Sequence, residues 1–501
     1  MASPRARVAS LLALLALSLL LGPARAAGSS ACPARGGPTW REFTSEQVAL
    51  RTDLAPDRAA ELVREIELAR AAVLHAMFAT APEVPGVVHA VAFASDGDFW
   101  EVSPSQAAAY VTTLDGFAPT VVLPATLRAA TRAILIHELT HHFSSFPLLR
   151  KPMWLDEGFA VYLESMGSVA LGARMTVGTV PGTIRVPRGR TERILVRDLL
   201  AWKGIDPGWV GTTIRRYYAS SWLLVHFLVN RQATAFDEFC RRLGLAEDPR
   251  AAWKAAFARW DPDVPGALDD LEGALDIYAR GAAFPYRTLD LQVSPTIAQR
   301  TLPSAEVHAL RAQLLPHGGE RRPGVLRAEV DEALAEDPAN PLAIGVLAGL
   351  DRRADLLPRA RASVQAYPTD WRAWSLLGSA LGAGGAEERL AARRRAVELG
   401  PDEPVALWEL ARELASAGLP REAASLALRL LRIAPYSPRS NETVAAVAMR
   451  LGLCVDALRS QQRAIDTTSD HASASSRESR EKVLADYQRR CATLAAPTAP
   501  K

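Results

Sequence analysis

The ten residues Ile134-Leu-Ile-His-Glu-Leu-Thr-His-His-Phe143 constrain this chain more than any other stretch. His137 and His141 are four residues apart, so on a helix both imidazoles leave one face a turn apart, with Glu138 beside them. That spacing suits a zinc ion with a carboxylate base next to it. Ile134, Leu135, Ile136, Leu139 and Phe143 surround the polar residues with apolar ones, as a metal helix packed into a water-excluding core requires. A hydrolytic zinc takes three protein ligands and keeps one position for water, so a third ligand must come from a second element.

Met153-Trp-Leu-Asp-Glu-Gly-Phe-Ala-Val-Tyr162 supplies that element, and Glu157 is the expected third ligand, with fifteen residues between it and His141. With this pair of motifs the sequence resembles the gluzincin peptidases, in which a Glu inside a Glu-Gly-Phe-Ala or Glu-Gly-Leu-Ala segment completes the site. Lys151-Pro-Met-Trp-Leu-Asp-Glu-Gly158 is closest to the Pro-x-Trp-Leu-x-Glu-Gly segment of the peptidase MA-like group, and the resemblance runs over residues 45–235. It implies one Zn2+ per chain held by His137, His141 and Glu157. Glu138 is then the general base toward a zinc-activated water and returns the proton to the leaving amine. It also implies an oxyanion donor on a later helix, for which Tyr218 in Arg216-Tyr-Tyr-Ala-Ser-Ser-Trp222 is the first choice and Tyr217 the second. Asp156 either holds a ligand histidine's N–H from behind or caps the helix that begins there, and His142 points about 100° from His141, outside the ligand set. The Gly-Ala-Met-Glu-Asn segment by which aminopeptidase N-like members hold a free amine has no counterpart before Thr120–Leu123. The expected activity is therefore endopeptidase, with zinc hydrolysis of another bond also open.

At 501 residues the chain exceeds one core, and a 49% hydrophobic, 23% charged composition is that of folded domains. A net charge of +3, with no arginine cluster interleaved with aromatics, gives no reason to expect a nucleic-acid partner. Arg5 and Arg7 precede an apolar run from Val8 to Leu21, shorter than a membrane span, and Ala24-Arg25-Ala26 offers small residues for cleavage. Residues 1–26 read as a secretory signal rather than an uncleaved anchor, so the mature chain is expected to be periplasmic or extracellular without a stable membrane span. Cys32 lies past that run, and Ser29-Ser30-Ala31 lacks the usual leucine, so lipoprotein anchoring is not expected. Export permits disulfides, and Cys454 and Cys491, both in the helical C-terminal part, are a plausible pair.

Residues 27–40 read as a disordered linker. Strands are expected at Val48–Thr52, 87–93 and Thr120–Leu123, with Ser95–Asp98 as a turn and helices from Pro56, over 125–145, from Trp154 and over Arg215–Asn230. This order gives an α+β zincin-like metallopeptidase domain over 41–287. Scattered prolines and glycines mark a junction at 288–337. Beyond it Pro338, Pro368, Pro401 and Pro435 recur at 30, 33 and 34 residues, and Trp374, Gly378, Ala391 and Ala396 fall where a tetratricopeptide repeat has its large and small residues. Residues 338–466 therefore resemble an all-α tetratricopeptide-like solenoid, with a plain helical bundle as the alternative. A Ser-rich linker, a final helix and a tail follow over 467–501. The expected partners are a peptide or protein substrate and a protein bound by the repeats. The competing expectation is an exported scaffold in which the repeats do the work and the zincin-like domain is inactive or structural.

Overall fold

The computed structural model describes residues 32–77, 84–103, 109–114, 117, 119–125, 128–168, 174–205, 209, 211–281, 283–317, 323–351, 355–382, 385–468 and 474–495. The leader expected at 1–26 lies outside these residues.

Five strands of the N-terminal part, β1 (Arg41–Thr44), β2 (Val48–Thr52), β3 (Val88–Ala92), β4 (Tyr110–Thr113) and β5 (Pro119–Leu123), share a mixed sheet. After a two-stranded antiparallel ribbon of β6 (Met175–Val177) and β7 (Arg287–Leu289), β8 (Ala298–Thr301) returns to that sheet and pairs antiparallel with β1. The order is β4-β5-β3-β2-β1-β8, with β2, β3 and β5 parallel at the centre. Side chains alternate between the two faces of a strand, and both faces here are buried, which is why the central strands are almost continuously apolar. Val88, Ala90 and Ala92 join a core formed with Leu62, Ile66 and Val73 of the helix Pro56–Met77 and with Leu135 and Leu139 of the helix Ala129–Ser144. Val91 and Phe93 join a second core with Trp40, Phe99, Val102, Leu302, Val307, Leu310 and Leu314.

That second core corrects three sequence expectations. The junction expected at 288–337 is built of regular structure, because β8 and the helix Ser304–Leu314 form an edge and a face of the sheet layer. The described part of 27–40 is not loose: Cys32 and Trp40 are each 1% exposed, and Ala34 N–H donates to Ser304 Oγ at 3.1 Å. Ser95–Asp98 is not a simple turn, since Ser95 Oγ accepts from Asp98 N–H and caps the helix Asp96–Val102.

The C-terminal part is an all-α solenoid of helical hairpins. Ser304–Leu314 with Pro323–Glu336 forms a pair ahead of the expected boundary, followed by Pro341–Leu350 with Leu356–Ala366 and Trp371–Ala380 with Ala386–Leu399. Pro404–Ser416 with Pro420–Ile433 and Pro438–Arg450 with Cys454–Asp466 complete the array. Pro338, Pro368, Pro401 and Pro435 each stand three residues before the first helix of a hairpin, where a fixed φ and a missing N–H cost nothing. Gly378 lets Arg393 of the partner helix approach to 3.0 Å from where a Cβ would sit. Ala391 is exposed, and the small packing positions of that helix are Ala392 and Ala396, matched in the next hairpin by Ala423 and Ala427. The final helix, Ala474–Ala495, begins before the expected Ser479 and takes in much of the expected Ser-rich linker; Cys454–Cys491 ties it to the last hairpin. Among the described residues no helix is long and apolar enough to cross a membrane.

Candidate metal centre

The two helices that carry the motifs lie side by side on the first core. Leu135, Ile136, Leu139 and Phe143 bury one side of Ala129–Ser144, so His137, Glu138 and His141 emerge along its other flank, partly accessible. The second helix, Met153–Glu164, is anchored by Trp154, which stacks on Phe239 and meets Trp253 edge-on at 5.8 Å. An aromatic anchor of this kind is worth about 3–5 kcal/mol against truncation, enough to fix the register of the helix. Gly158 is required by a close approach: a Cβ on it would lie 2.6 Å from Val225 Cγ2 and 2.8 Å from the Ser221 carbonyl oxygen of the helix Gly211–Arg231. Only glycine allows that approach, and the approach sets the position of its neighbour Glu157.

His137, His141 and Glu157 come together as the sequence predicts, each offering one ligand atom within 4.8 Å of the others. His137 Nε2 lies 3.4 Å and His141 Nε2 3.7 Å from Glu157 Oε2. Ligands at the usual zinc distances of about 2.0–2.2 Å in a tetrahedron stand roughly 3.3–3.6 Å apart, so these separations need little adjustment. Glu157 Oε2 is buried and accepts no hydrogen bond. A buried carboxylate oxygen without a donor is costly, and a cation between it and the two imidazoles removes the cost. The residues present therefore fit a zinc ion.

The far nitrogens of both rings are held. His137 Nδ1 donates to Glu164 Oε1 at 2.7 Å, and Thr183 Oγ1 donates to the other oxygen of Glu164. His141 Nδ1 is 3.0 Å from Asp156 Oδ1, in ion-pair contact though not aligned as a full hydrogen bond. Lys151 Nζ donates to Asp156 Oδ1 at 2.5 Å, to Ser144 Oγ at 2.6 Å and to the His141 carbonyl at 3.2 Å, neutralising the C-terminal end of the first helix. Asp156 thus sits behind His141, and the structure gives it no N-capping hydrogen bond. Glu164 and Thr183 were missed by sequence reasoning. Glu164 is seven residues after Glu157, two turns along the same helix face, and that spacing was the available signal.

The electrostatics favour positive charge at the ring nitrogens. Burial lowers the proton affinity of His137, but Glu157, Glu164 and the Glu138 charge overcome it and push its pKa up to about 10. Burial likewise opposes protonation of His141, and Asp156 and Glu157 outweigh it. Glu157 is raised by burial and brought below the usual carboxylate range by His141 and His137. Asp156 is held low by Lys151 and His141 against the effect of burial. A metal and a proton compete for this same field.

Of the two tyrosines, Tyr218 faces the site, its ring centroid 6.1 Å from that of His137. Tyr217 is taken into an aromatic stack, 4.5 Å from Trp209 and 4.7 Å from Trp202. His142 turns away from the cluster onto Phe146 and Tyr436, where burial pushes its pKa down to about 3.

The profile of a family described as a protein of unknown function (DUF1570) matches residues 133–248, which contain both metal-site helices and the helix of Tyr218. No curated protein matches the chain. Among solved structures, a thermophilic TPR protein of Thermus thermophilus is similar at 17% identity and a TM-score of 0.30, covering 37% of this chain and 99% of that one. The MamA protein is similar at 15% identity and a TM-score of 0.25, covering 39% and 98%. Yeast Tom70 is similar at 12% identity and a TM-score of 0.31, covering 60% of this chain and 65% of that chain.

Proposed function

We propose that the chain is an exported zinc-dependent peptidase, acting as an endopeptidase, with His137, His141 and Glu157 as metal ligands. The observation that carries this reading is the convergence of two imidazole nitrogens on a buried carboxylate oxygen that has no other donor. A zinc ion held there supplies Lewis-acid polarisation of a carbonyl and activation of a water. Glu138, half-buried beside His137, takes and returns the proton of the attacking water at its carboxylate. Tyr218, with its ring beside that of His137, offers its hydroxyl as a hydrogen-bond donor to developing oxyanion charge. Glu164 and Asp156 hold the ligand rings from behind. The substrate is a peptide or protein, and the hairpin array is a second surface on which a protein partner or substrate can rest.

The test is metal analysis and cleavage of casein or a peptide library by the protein and by Glu138→Gln. Stoichiometric zinc in both, with the variant's cleavage reduced at least a hundredfold, is the expected result; a protein that purifies folded but takes up no zinc at this site refutes it. A second reading is favoured by the extent of the solenoid, five hairpins among the described residues against one site: an exported helical-repeat scaffold whose metal centre is structural or inactive. It predicts that Glu138→Gln changes nothing measurable, while substitutions on the hairpins abolish partner capture.

A further inference from the structure

Remote from the first site, three side chains of metal-ligating type come together where the N-terminal segment crosses the first helical hairpin. Cys32 Sγ, a ring nitrogen of His308 and a Glu336 carboxylate oxygen all lie within 4.8 Å of one another. Cys32 and His308 are each 1% exposed, and Glu336 stands at the rim. The thiol is 3.5 Å from Glu336 Oε1 and 3.4 Å from Ser304 Oγ. His308 is fixed from its other side: Nδ1 donates to Glu329 Oε2 at 2.6 Å, and Glu329 Oε1 accepts from Arg311 Nε at 2.9 Å. Its Nε2, directed into the cluster, is buried without a hydrogen-bond partner.

An imidazole whose outer nitrogen is held by a buried carboxylate, while the inner one faces a thiol and a second carboxylate without a well-formed hydrogen bond to either, has the arrangement of a metal ligand. Glu329 is itself held in place by Arg311, whose Nη2 also donates to Glu101 at 2.8 Å. We propose that Cys32, His308 and Glu336 form a second divalent-cation site, with Glu329 orienting His308. A thiolate, an imidazole and a carboxylate together select zinc over magnesium or calcium, whose ligands are oxygens. Ligand atoms around a tetrahedral zinc stand roughly 3.3–3.8 Å apart, so the Cys32 to Glu336 separation already fits. The other two separations lie within 4.8 Å, and the exposed Glu336 can turn toward His308.

The consequence is structural. The metal links residues 32–37, already held by Ala34 on Ser304 and Arg35 on Glu332, to both helices of the first hairpin. That hairpin also lines the second core of the sheet, so the ion fastens the start of the folded chain to the point where sheet and solenoid meet. This proposal does not depend on peptidase activity, and the presence of sulfur in only one of the two sites separates them spectroscopically.

The experiment uses the full mature chain carrying His137→Ala, His141→Ala and Cys240→Ser, which removes the first site and the other free thiol. Loaded with Co2+, it is expected to bind one ion per chain and to show a near-ultraviolet thiolate-to-cobalt charge-transfer band. Cys32→Ala in the same background is expected to lose the band and at least tenfold in affinity. As a control that needs no substitution at the site, Zn2+ in place of a chelator is expected to slow alkylation of Cys32 at least tenfold. A folded protein with no charge-transfer band, a band that survives Cys32→Ala, alkylation indifferent to zinc, or a Cys32 found covalently lipidated each overturns the proposal.

Discussion

Glu164→Gln probes the least expected part of the metal centre and has a sign that depends on pH. The substitution keeps shape and a hydrogen-bond acceptor for His137 Nδ1 but removes the charge that now lies 2.7 Å from it. Loss of such an orienting carboxylate weakens metal binding about 10–100-fold, or ~1.4–2.7 kcal/mol. Against this, the same carboxylate helps raise His137 to about 10, and a metal must displace that proton. At pH 7.5 deprotonation from about 10 costs on the order of 3 kcal/mol, and Gln at 164 relieves a large part of it. The two effects nearly cancel near neutrality, and the ligand-strength loss emerges as pH rises and the proton leaves by itself. The expected result is a wild-type zinc affinity that climbs more steeply with pH than the variant's. By pH 9 the variant is at least fivefold weaker, although the two are similar at pH 7. Competition against a chromophoric chelator measures both, and calorimetry in buffers of different ionisation enthalpy counts the released protons. A ratio of affinities independent of pH from 7 to 9, in variants with matching circular dichroism, refutes the reasoning.

Gly158→Ala is expected to cost about 1–3 kcal/mol of stability, because its Cβ meets Val225 and the Ser221 carbonyl inside van der Waals distance. It should also weaken zinc binding by displacing Glu157, and an unchanged melting temperature sinks the packing account. His226 is fully buried; its Nε2–H donates to the Gly178 carbonyl and its Nδ1 accepts from the Tyr278 hydroxyl, each at 2.8 Å. Burial holds its folded pKa below 6.5, so the unfolded chain binds the extra proton. Stability from this group is therefore full above pH 6.5 and falls below it, by at most ~1.4 kcal/mol per pH unit. Urea unfolding of His226→Gln between pH 7 and 5 should show a flatter decline than the unsubstituted protein, and equal slopes refute the assignment. The Cys454–Cys491 bridge closes a 37-residue separation, worth about 4 kcal/mol in the loop-entropy description. Reduction should speed hydrogen exchange in Ala474–Ala495 before any other helix, and uniform or unchanged exchange contradicts that placement.

The His137–His141–Glu157 cluster was legible because a metal site would impose spacing: four residues for two imidazoles on one helix, and a carboxylate flanked by a glycine on the next. Glu164 was harder, since a lone acidic residue at the end of an apolar helix has the same sequence signature whether it meets solvent or a ring nitrogen. β8 was illegible for another reason. Its four residues, Ala298–Thr301, are all exposed, and an edge strand without a buried face lacks the alternation by which strands are recognised. Missing it left a strand and the helix behind it unassigned within the junction. In the solenoid the prolines mark the period and Ala396 is a packing position as expected, while Ala391 is one residue off the buried face. In an alanine-rich helix, Ala391 and Ala392 differ only in the face they occupy.

The hairpins and the metal-site helices are not separate modules joined by a tether. Phe117, between β4 and β5, is 1% exposed because it is buried among Leu407, Leu430, Ile433 and Ala434 of the fourth hairpin, with Trp408 at 5.9 Å. His142, adjacent to the ligand His141, meets Tyr436 at 4.7 Å, and Arg150 bridges Asp466 at 2.8 Å and Asp248 at 3.2 Å. The solenoid therefore curves from its attachment at β8 back to the C-terminal end of the metal helix and touches the fold at both ends. His142, half-buried and kept neutral by its surroundings, packs on Tyr436 one residue from His141, so the hairpin surface and the candidate site share this contact. Disruption of the Tyr436 contact should accordingly reach the site through His142, without touching a ligand.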